Sequence, residues 1–218
     1  MNIYDIPFNI INYICSFIQD TDVYTLKSTC KYFNNMFLDL NDYYLCSKVL
    51  NSKKRVRYRK LLLDIEISVF ETDKELFRYC RYLKIAYNYK HKIEKLPPLL
   101  ESLKIMNPTY NYELNFPKTL KEIVLSNLYN YKVNWKEYVN LKILHLGNNY
   151  DHDIEIYNKL EYLRIGKNFT SRLTILDAYI LIIDSNNAFS LITKKINILK
   201  LTKNSSINIP DNVDKVIY

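Results

Sequence analysis

Leu141-Lys-Ile-Leu144-His-Leu146-Gly-Asn-Asn149-Tyr150 is followed nineteen residues later by Leu160-Glu-Tyr-Leu163-Arg-Ile165-Gly-Lys-Asn168-Phe169. Both stretches read L-x-x-L-x-L-x-x-N-aromatic with Ile in one Leu place, and self-similarity at a period near twenty residues marks a solenoid. Leu144 with Leu146, and Leu163 with Ile165, alternate with polar residues, as in a strand with one buried face. Ile154-Glu-Ile156 and Leu173-Thr-Ile175 follow as second, shorter alternations. One unit is therefore expected to run strand, tight corner, second short strand, corner.

Extended in both directions, the first apolar position recurs at Cys80, Leu100, Leu120, Leu141, Leu160, Ala178, Ile196 and Val213. Three and five residues after each anchor stand Leu83/Ile85, Leu103/Ile105, Ile123/Leu125, Leu144/Leu146, Leu163/Ile165, Leu181/Ile183, Leu199/Leu201 and Val216/Tyr218, all apolar or aromatic. Strands are expected at each pair. Asn88, Asn149, Asn168, Asn186 and Asn204 lie eight residues after an anchor, with Asn107 and Asn127 one place early. An Asn side chain satisfies backbone groups at a corner, so a stacked and buried Asn ladder is expected. Tyr89, Tyr129, Tyr150 and Phe169 follow the Asn position. Second strands are expected at Leu114-Asn-Phe116, Val133-Asn-Trp135, Ile154–Ile156, Leu173–Ile175, Phe189-Ser-Leu191 and Ile207-Asn-Ile209. Units of 17–21 residues leave little room for an outer helix. The repeat resembles leucine-rich repeats, and Gly166-Lys-Asn168-Phe169 is closer to the FNIP type, though without its Gln-Pro after the Asn.

Upstream of the array the pattern changes. Ile6-Pro7 suits a helix start, and Ile10, Ile11, Ile14, Phe17 and Ile18 form a helical face. Asp20-Thr-Asp22 offers an N-cap for a second helix carrying Val23, Leu26 and Cys30, and Tyr32, Phe33, Met36 and Phe37 fit a third. Three short helices enclose little apolar surface, so they predict one side of an interface. Pro7, Ile10, Ile14, Asp22, Leu26, Cys30, Lys31 and Phe33 resemble the F-box pattern, with Ile6 for its usual Leu and Lys31 for its usual Arg. An N-terminal F-box followed by such repeats occurs in amoebae and in the giant DNA viruses that infect them.

The fold class expected is α+β: a three-helix F-box over residues 1–40, a helical and basic connector over 41–79, and a parallel β-solenoid of short leucine-rich-like repeats over 80–218. Within the connector, Asp42–Leu50 is expected to be helical, Leu61–Ile65 to form an irregular first repeat with Leu63 and Ile65 as its register pair, and Glu71–Tyr79 to be helical. The resemblance implies that Ile6, Pro7, Ile10, Ile14, Leu26 and Phe33 dock on a Skp-family adaptor and through it on a cullin ubiquitin ligase. The solenoid face would then capture a target protein. The alternative is a repeat binding module with a helical cap and no ubiquitin role, touching nucleic acid through its basic surface.

The chain carries 31 Lys and Arg against 23 Asp and Glu, a formal charge of +8, with a basic run at Lys53-Lys-Arg-Val-Arg-Tyr-Arg-Lys60. That run reads as a phosphate contact or nuclear signal, or as a solvated face between domains. No run of eighteen apolar residues predicts a membrane span, and Met1–Asp5 lacks a basic leader. The four Cys show no C-x-x-C spacing, so free thiols and an intracellular, cytoplasmic protein are expected, with nuclear entry the variant reading. The sequons Asn168-Phe-Thr170 and Asn204-Ser-Ser206 fall at the Asn corner, where buried side chains are expected rather than sugar acceptors. His91, His145 and His152 have no Cys at ligand spacing, and Gly147 and Gly166 make no phosphate loop. No enzyme, cofactor or metal is predicted.

Side chains four residues after each anchor point away from the core, because a strand alternates its faces. Lys84, Lys104, Val124, His145, Arg164, Ile182 and Lys200 form that column, flanked by Tyr82, Ser102, Glu122, Ile143, Tyr162, Ile180 and Ile198. Tyr82, Lys84, Lys104, His145, Tyr162, Arg164 and Ile182 are the expected target-binding residues, reading an acidic or phosphorylated segment beside an apolar anchor. The array's final strand, Val213–Tyr218, presents an edge on which Asp214 and Lys215 would discourage further pairing.

Overall fold

The computed structural model describes residues 44–45, 60–63, 80–202 and 206–218. They form one parallel sheet whose strands stack in chain order: β1 Tyr44–Leu45, β2 Lys60–Leu63, β3 Tyr82–Ile85, β4 Ser102–Ile105, β5 Glu122–Val124, β6 Ile143–His145, β7 Ile154–Ile165, β8 Leu173–Ile183, β9 Leu191–Leu201 and β10 Val213–Ile217. Each turn of chain returns beneath the last, which makes a parallel β-solenoid.

The expected register holds from β3 to β10. Leu83 pairs with Leu103, Leu103 with Ile123, Ile123 with Leu144 and Leu144 with Leu163. Beyond them Leu163 pairs with Leu181, Leu181 with Leu199 and Leu199 with Val216. Parallel strands with a buried inner face need one apolar residue above another at every step, because a one-residue slip would turn the whole set to solvent. From Cys80 to Leu201 the anchors and the two inward positions after them are all buried. The interior between them is filled by Tyr89, Tyr110, Tyr129, Tyr150 and Phe169. Tyr110 stands one place later than the expected aromatic position because Asn107-Pro-Thr109 lengthens its corner by a residue.

Second strands form in three successive turns, where the outer segments pair with one another. Ile154–Ile156 and Leu173–Ile175 are paired, and each runs straight into the next turn's inner strand, with a bulge between Ile156 and Lys159. In the following turn Leu191, not Phe189, pairs with Leu173, so that segment sits two residues later than expected. Leu114–Phe116 and Ile207–Ile209 are irregular, and Trp135 opens a 3-10 turn, Trp135–Glu137, in place of a strand. There bulky rings replace a ladder: Trp135 packs against Phe116, Tyr138 and Tyr150, and its indole N–H donates to the Tyr150 hydroxyl at 2.9 Å. Burial pushes the Tyr150 hydroxyl up to about 12, so it remains protonated there.

The solenoid begins earlier than expected. Tyr44–Leu45 is a strand, not part of a helix over 42–50, and it pairs with Leu61 and Leu62. Leu61 and Leu63, not Leu63 and Ile65, lie in register with Leu83 and Ile85. The helices expected over residues 1–40 and 71–79, and the basic run up to Arg59, lie outside the described residues.

The corner also differs from expectation. Asn88, Asn168 and Asn186 are exposed, and only Asn107 is buried. The buried column lies nearer the strand, at Ala86, Asn107, Ser126, Gly147, Gly166 and Ser185. Its polar members share one task. Asn107 Nδ2 donates to the Tyr89 carbonyl at 2.6 Å, Ser126 Oγ to the Tyr110 carbonyl, and Ser185 Oγ to the Phe169 carbonyl at 2.9 Å. Each satisfies a buried backbone oxygen of the preceding turn. Asn168, being exposed, no longer argues against its sequon by burial, and Asn204 lies outside the described residues.

Ion pairs join neighbouring turns: Arg81 and Lys121 with Glu101, Lys118 with Glu137, Lys136 with Glu155, Lys142 with Glu161, and Arg172 with Asp153. Asp151 accepts from Thr170 N, Thr170 Oγ1 and Ser171 N at 2.7–2.9 Å. Burial alone would raise its carboxyl pKa, but those hydrogen bonds outweigh it and hold the group below its ordinary value. Exposed pairs of this kind contribute little energy each. Their consequence is register, since each charge meets its partner only when the turns are aligned.

Candidate binding face

The outer strand face exists as a continuous surface because pairing carries one residue over the next. Tyr82, Ser102, Glu122, Ile143, Tyr162, Ile180 and Ile198 form one column through successive pairings. Lys84, Lys104, Val124, His145, Arg164, Ile182 and Lys200 form the other, two residues along each strand. Steps within a column are about 4.8 Å, the spacing of hydrogen-bonded strands. All seven expected target-binding residues therefore lie on one face, and all are half-buried.

Its electrostatics are less basic than the column of residues implies. Lys104 Nζ lies 2.6 Å from Glu122, whose carboxylate also accepts from the buried Ser102 hydroxyl at 2.6 Å. Arg164 Nε donates to Asp184 at 2.6 Å. Two of the cations expected to meet an acidic target thus already hold a carboxylate from the chain itself. Glu122 was visible in the flanking column, but Asp184 lies past the strand end and has no strand-period signal.

His145 stands beside the Arg164–Asp184 pair. Burial first, and then the Arg164 guanidinium, hold its imidazole below the ordinary histidine value, while Asp184 pulls the other way. The ring is neutral near pH 7. It is half-buried rather than the surface histidine that an outward strand position predicts.

What remains of the face is apolar. Val124 and Ile143 adjoin, His145 and Tyr162 follow, and Ile180, Ile182 and Ile198 close the strip. Lys200, opposite Ile182, is exposed at its far end. The polar side chains within the strip are His145 and Arg164, the latter paired with Asp184.

No protein-family model, curated protein or solved structure matches the chain. Among the described residues no group of His, Cys, Asp and Glu is arranged to hold a metal ion, and no helix is long and apolar enough to cross a membrane. Cys80, the described cysteine, is buried in the core column. Ile6, Pro7, Ile10, Ile14, Leu26 and Phe33, the expected adaptor-docking residues, lie outside the described residues.

Proposed function

We propose that the chain is a substrate receptor of the Skp–cullin–F-box type, with residues 1–40 docking the adaptor and the strand face capturing a target protein. The adaptor half rests on the F-box resemblance of Ile6 to Phe33. The target half rests on one observation: parallel pairing gathers Val124, Ile143, Tyr162, Ile180, Ile182 and Ile198 into a single outward apolar strip. Because Glu122 and Asp184 neutralise Lys104 and Arg164, an apolar target segment is favoured over a phosphorylated one. A phosphate would have to displace those carboxylates. Tyr82, Lys84 and Lys200 then frame the strip.

Purified chain and a purified Skp-family adaptor test the first half by calorimetry. Binding is expected, and loss of at least tenfold in affinity with Ile10→Asp and Ile14→Asp together. Absence of binding by the unaltered chain would leave a repeat module without a ubiquitin role. An immobilised peptide library tests the second half. Peptides bound by the chain should be apolar, and Ile180→Lys with Ile182→Lys should abolish that binding while adaptor affinity is unchanged. Selection of acidic peptides that survive this exchange would sink the apolar reading.

A further inference from the structure

The outward face of the solenoid is long in one direction only. β3 to β6 are strands of three or four residues, so each presents two outward side chains before the chain turns a corner. Those two lie about 7 Å apart along the strand, whereas the stack repeats them about every 4.8 Å over many turns. A ligand that covers the face must therefore run along the stack, across the strands.

The chemistry along that direction changes at defined points. Two places after the anchor, pairing carries the column from Glu122 to Ile143, Tyr162, Ile180 and Ile198, and then to Lys215. The apolar rungs of that column span about 14 Å at the spacing of paired strands. Before them, Glu122 is already held by Lys104 and the Ser102 hydroxyl. After them, Lys200 is exposed beside Ile198 on the same strand. Asp184 and Asp214, on the turns to either side, are engaged by Arg164 and Lys195 instead.

This surface has little to offer a ligand's backbone. Its own N–H and C=O groups are used within the parallel ladder, and its rungs end in aliphatic side chains and the Tyr162 ring. An extended peptide laid there would bury donors and acceptors without partners, each at a cost comparable to a lost hydrogen bond. It would also present a side chain to the face about every 6.7 Å, out of step with the rungs. An α-helix satisfies its backbone internally and repeats a facing side chain about every 5.4 Å. Tilted by roughly 27° from the stack axis, that repeat projects onto about 4.8 Å. The same tilt moves the helix sideways by about 7 Å over the apolar rungs, which is the separation of the two columns. Its path then leads from Ile143 in one column to Lys200 in the other.

We propose that the segment captured by this face is an amphipathic helix of about three turns, lying along the stack with its apolar stripe over Ile143, Tyr162, Ile180 and Ile182. Its C-terminal turn lies at Lys200. The inference rests on the strand face being the capture surface and adds what the captured segment must be. A helix ends in unpaired carbonyls that carry partial negative charge, and a cation beside them is stabilising. The reverse direction would set the helix's free N–H groups against Lys200 and its carbonyls beside the Glu122 carboxylate.

Two displayed peptide sets test this against the full 218-residue chain. Both carry the same apolar residues, one set at i, i+4, i+7 and i+11 and the other at every second position. The helix-patterned set is expected to be captured roughly tenfold more tightly, and its members should gain helical circular dichroism on binding. In chain labelled at isoleucine methyls, shifts should fall on Ile143, Ile180, Ile182 and Ile198, while the buried Ile154 and Ile175 stay unmoved. A spin label on the peptide's C-terminus should broaden Ile198 more than Ile143. Lys200→Glu, an exchange at an exposed position, should weaken capture roughly fivefold. Capture of the alternating set at the same methyls would leave the strand face as the capture surface and overturn the helix. Capture of neither set, or capture that leaves those methyls unmoved, would overturn both readings. Stronger broadening at Ile143, or a Lys200→Glu variant that binds unchanged, would equally overturn the proposal, which fixes the helix's direction.

Discussion

Gly147 and Gly166 carry the corner at its tightest point, and neither is there for its backbone freedom. No described glycine has a positive φ. A Cβ on Gly147 would overlap the Ser126 carbonyl oxygen, and one on Gly166 would overlap the Gly147 carbonyl oxygen. Backbone meets backbone at these two steps, and the Asn149 N–H to Asn127 carbonyl bond at 2.9 Å ties the corner down beside the first. Gly147→Ala is therefore expected to cost about 2–3 kcal/mol, the upper part of the usual range for overpacking. Chemical denaturation checks this, and an unchanged midpoint would mean that the turns can part without loss. Ser126 and Ser185 show the other solution to the same corner, a side chain small enough to fit and polar enough to meet a carbonyl.

At the scale of elements, β6, β7 and the residue after β8 meet at His145, Arg164 and Asp184. The unfolded chain protonates His145 at about 6.5, whereas burial and Arg164 hold it lower in the fold. Between those two values the unfolded state binds more protons, so stability there rises with pH. The contribution is complete above about pH 6.5 and is lost as pH falls through the folded value. Denaturant midpoints at pH 7.5 and 5.5 should therefore draw apart in the native chain more than in His145→Gln. An equal pH response in both would place the loss elsewhere. The same strands explain why only β7, β8 and β9 are long. Their outer halves pair with one another, while Trp135 and Phe116 fill the corresponding space in earlier turns.

Across the whole molecule each turn touches its neighbours above and below, so stability is a sum of turns and the junctions between them. Leu144 lies near the middle, fully buried and paired on both sides. Its replacement by Ala should cost about 2–5 kcal/mol through the cavity it leaves. In native-state amide exchange the protection of β6, β7 and β8 should exceed that of β10, whose Val213 and Val216 are half-buried and which has one strand neighbour among the described residues. A flat protection profile would mean that the solenoid opens as one block.

The sequence by itself determined the solenoid, its parallel order and its register, because one apolar residue must stand above another at every step of the stack. Leu144 over Leu163 over Leu181 could be read from spacing alone, and so could the membership of the outer face. Tertiary structure decided what spacing does not encode. Whether an outer alternation becomes a strand depends on its neighbours in space, so Ile154–Ile156 pairs with Leu173–Ile175 while Val133–Trp135 gives way to a stacked indole. Which corner position is buried depends on how closely successive backbones approach, and that moved the polar ladder from the Asn place to Asn107, Ser126 and Ser185. The charge of the face depends on diagonal neighbours in space, Glu122 to Lys104 and Asp184 to Arg164, which turned a basic column into an apolar strip in which Lys104 and Arg164 already hold carboxylates.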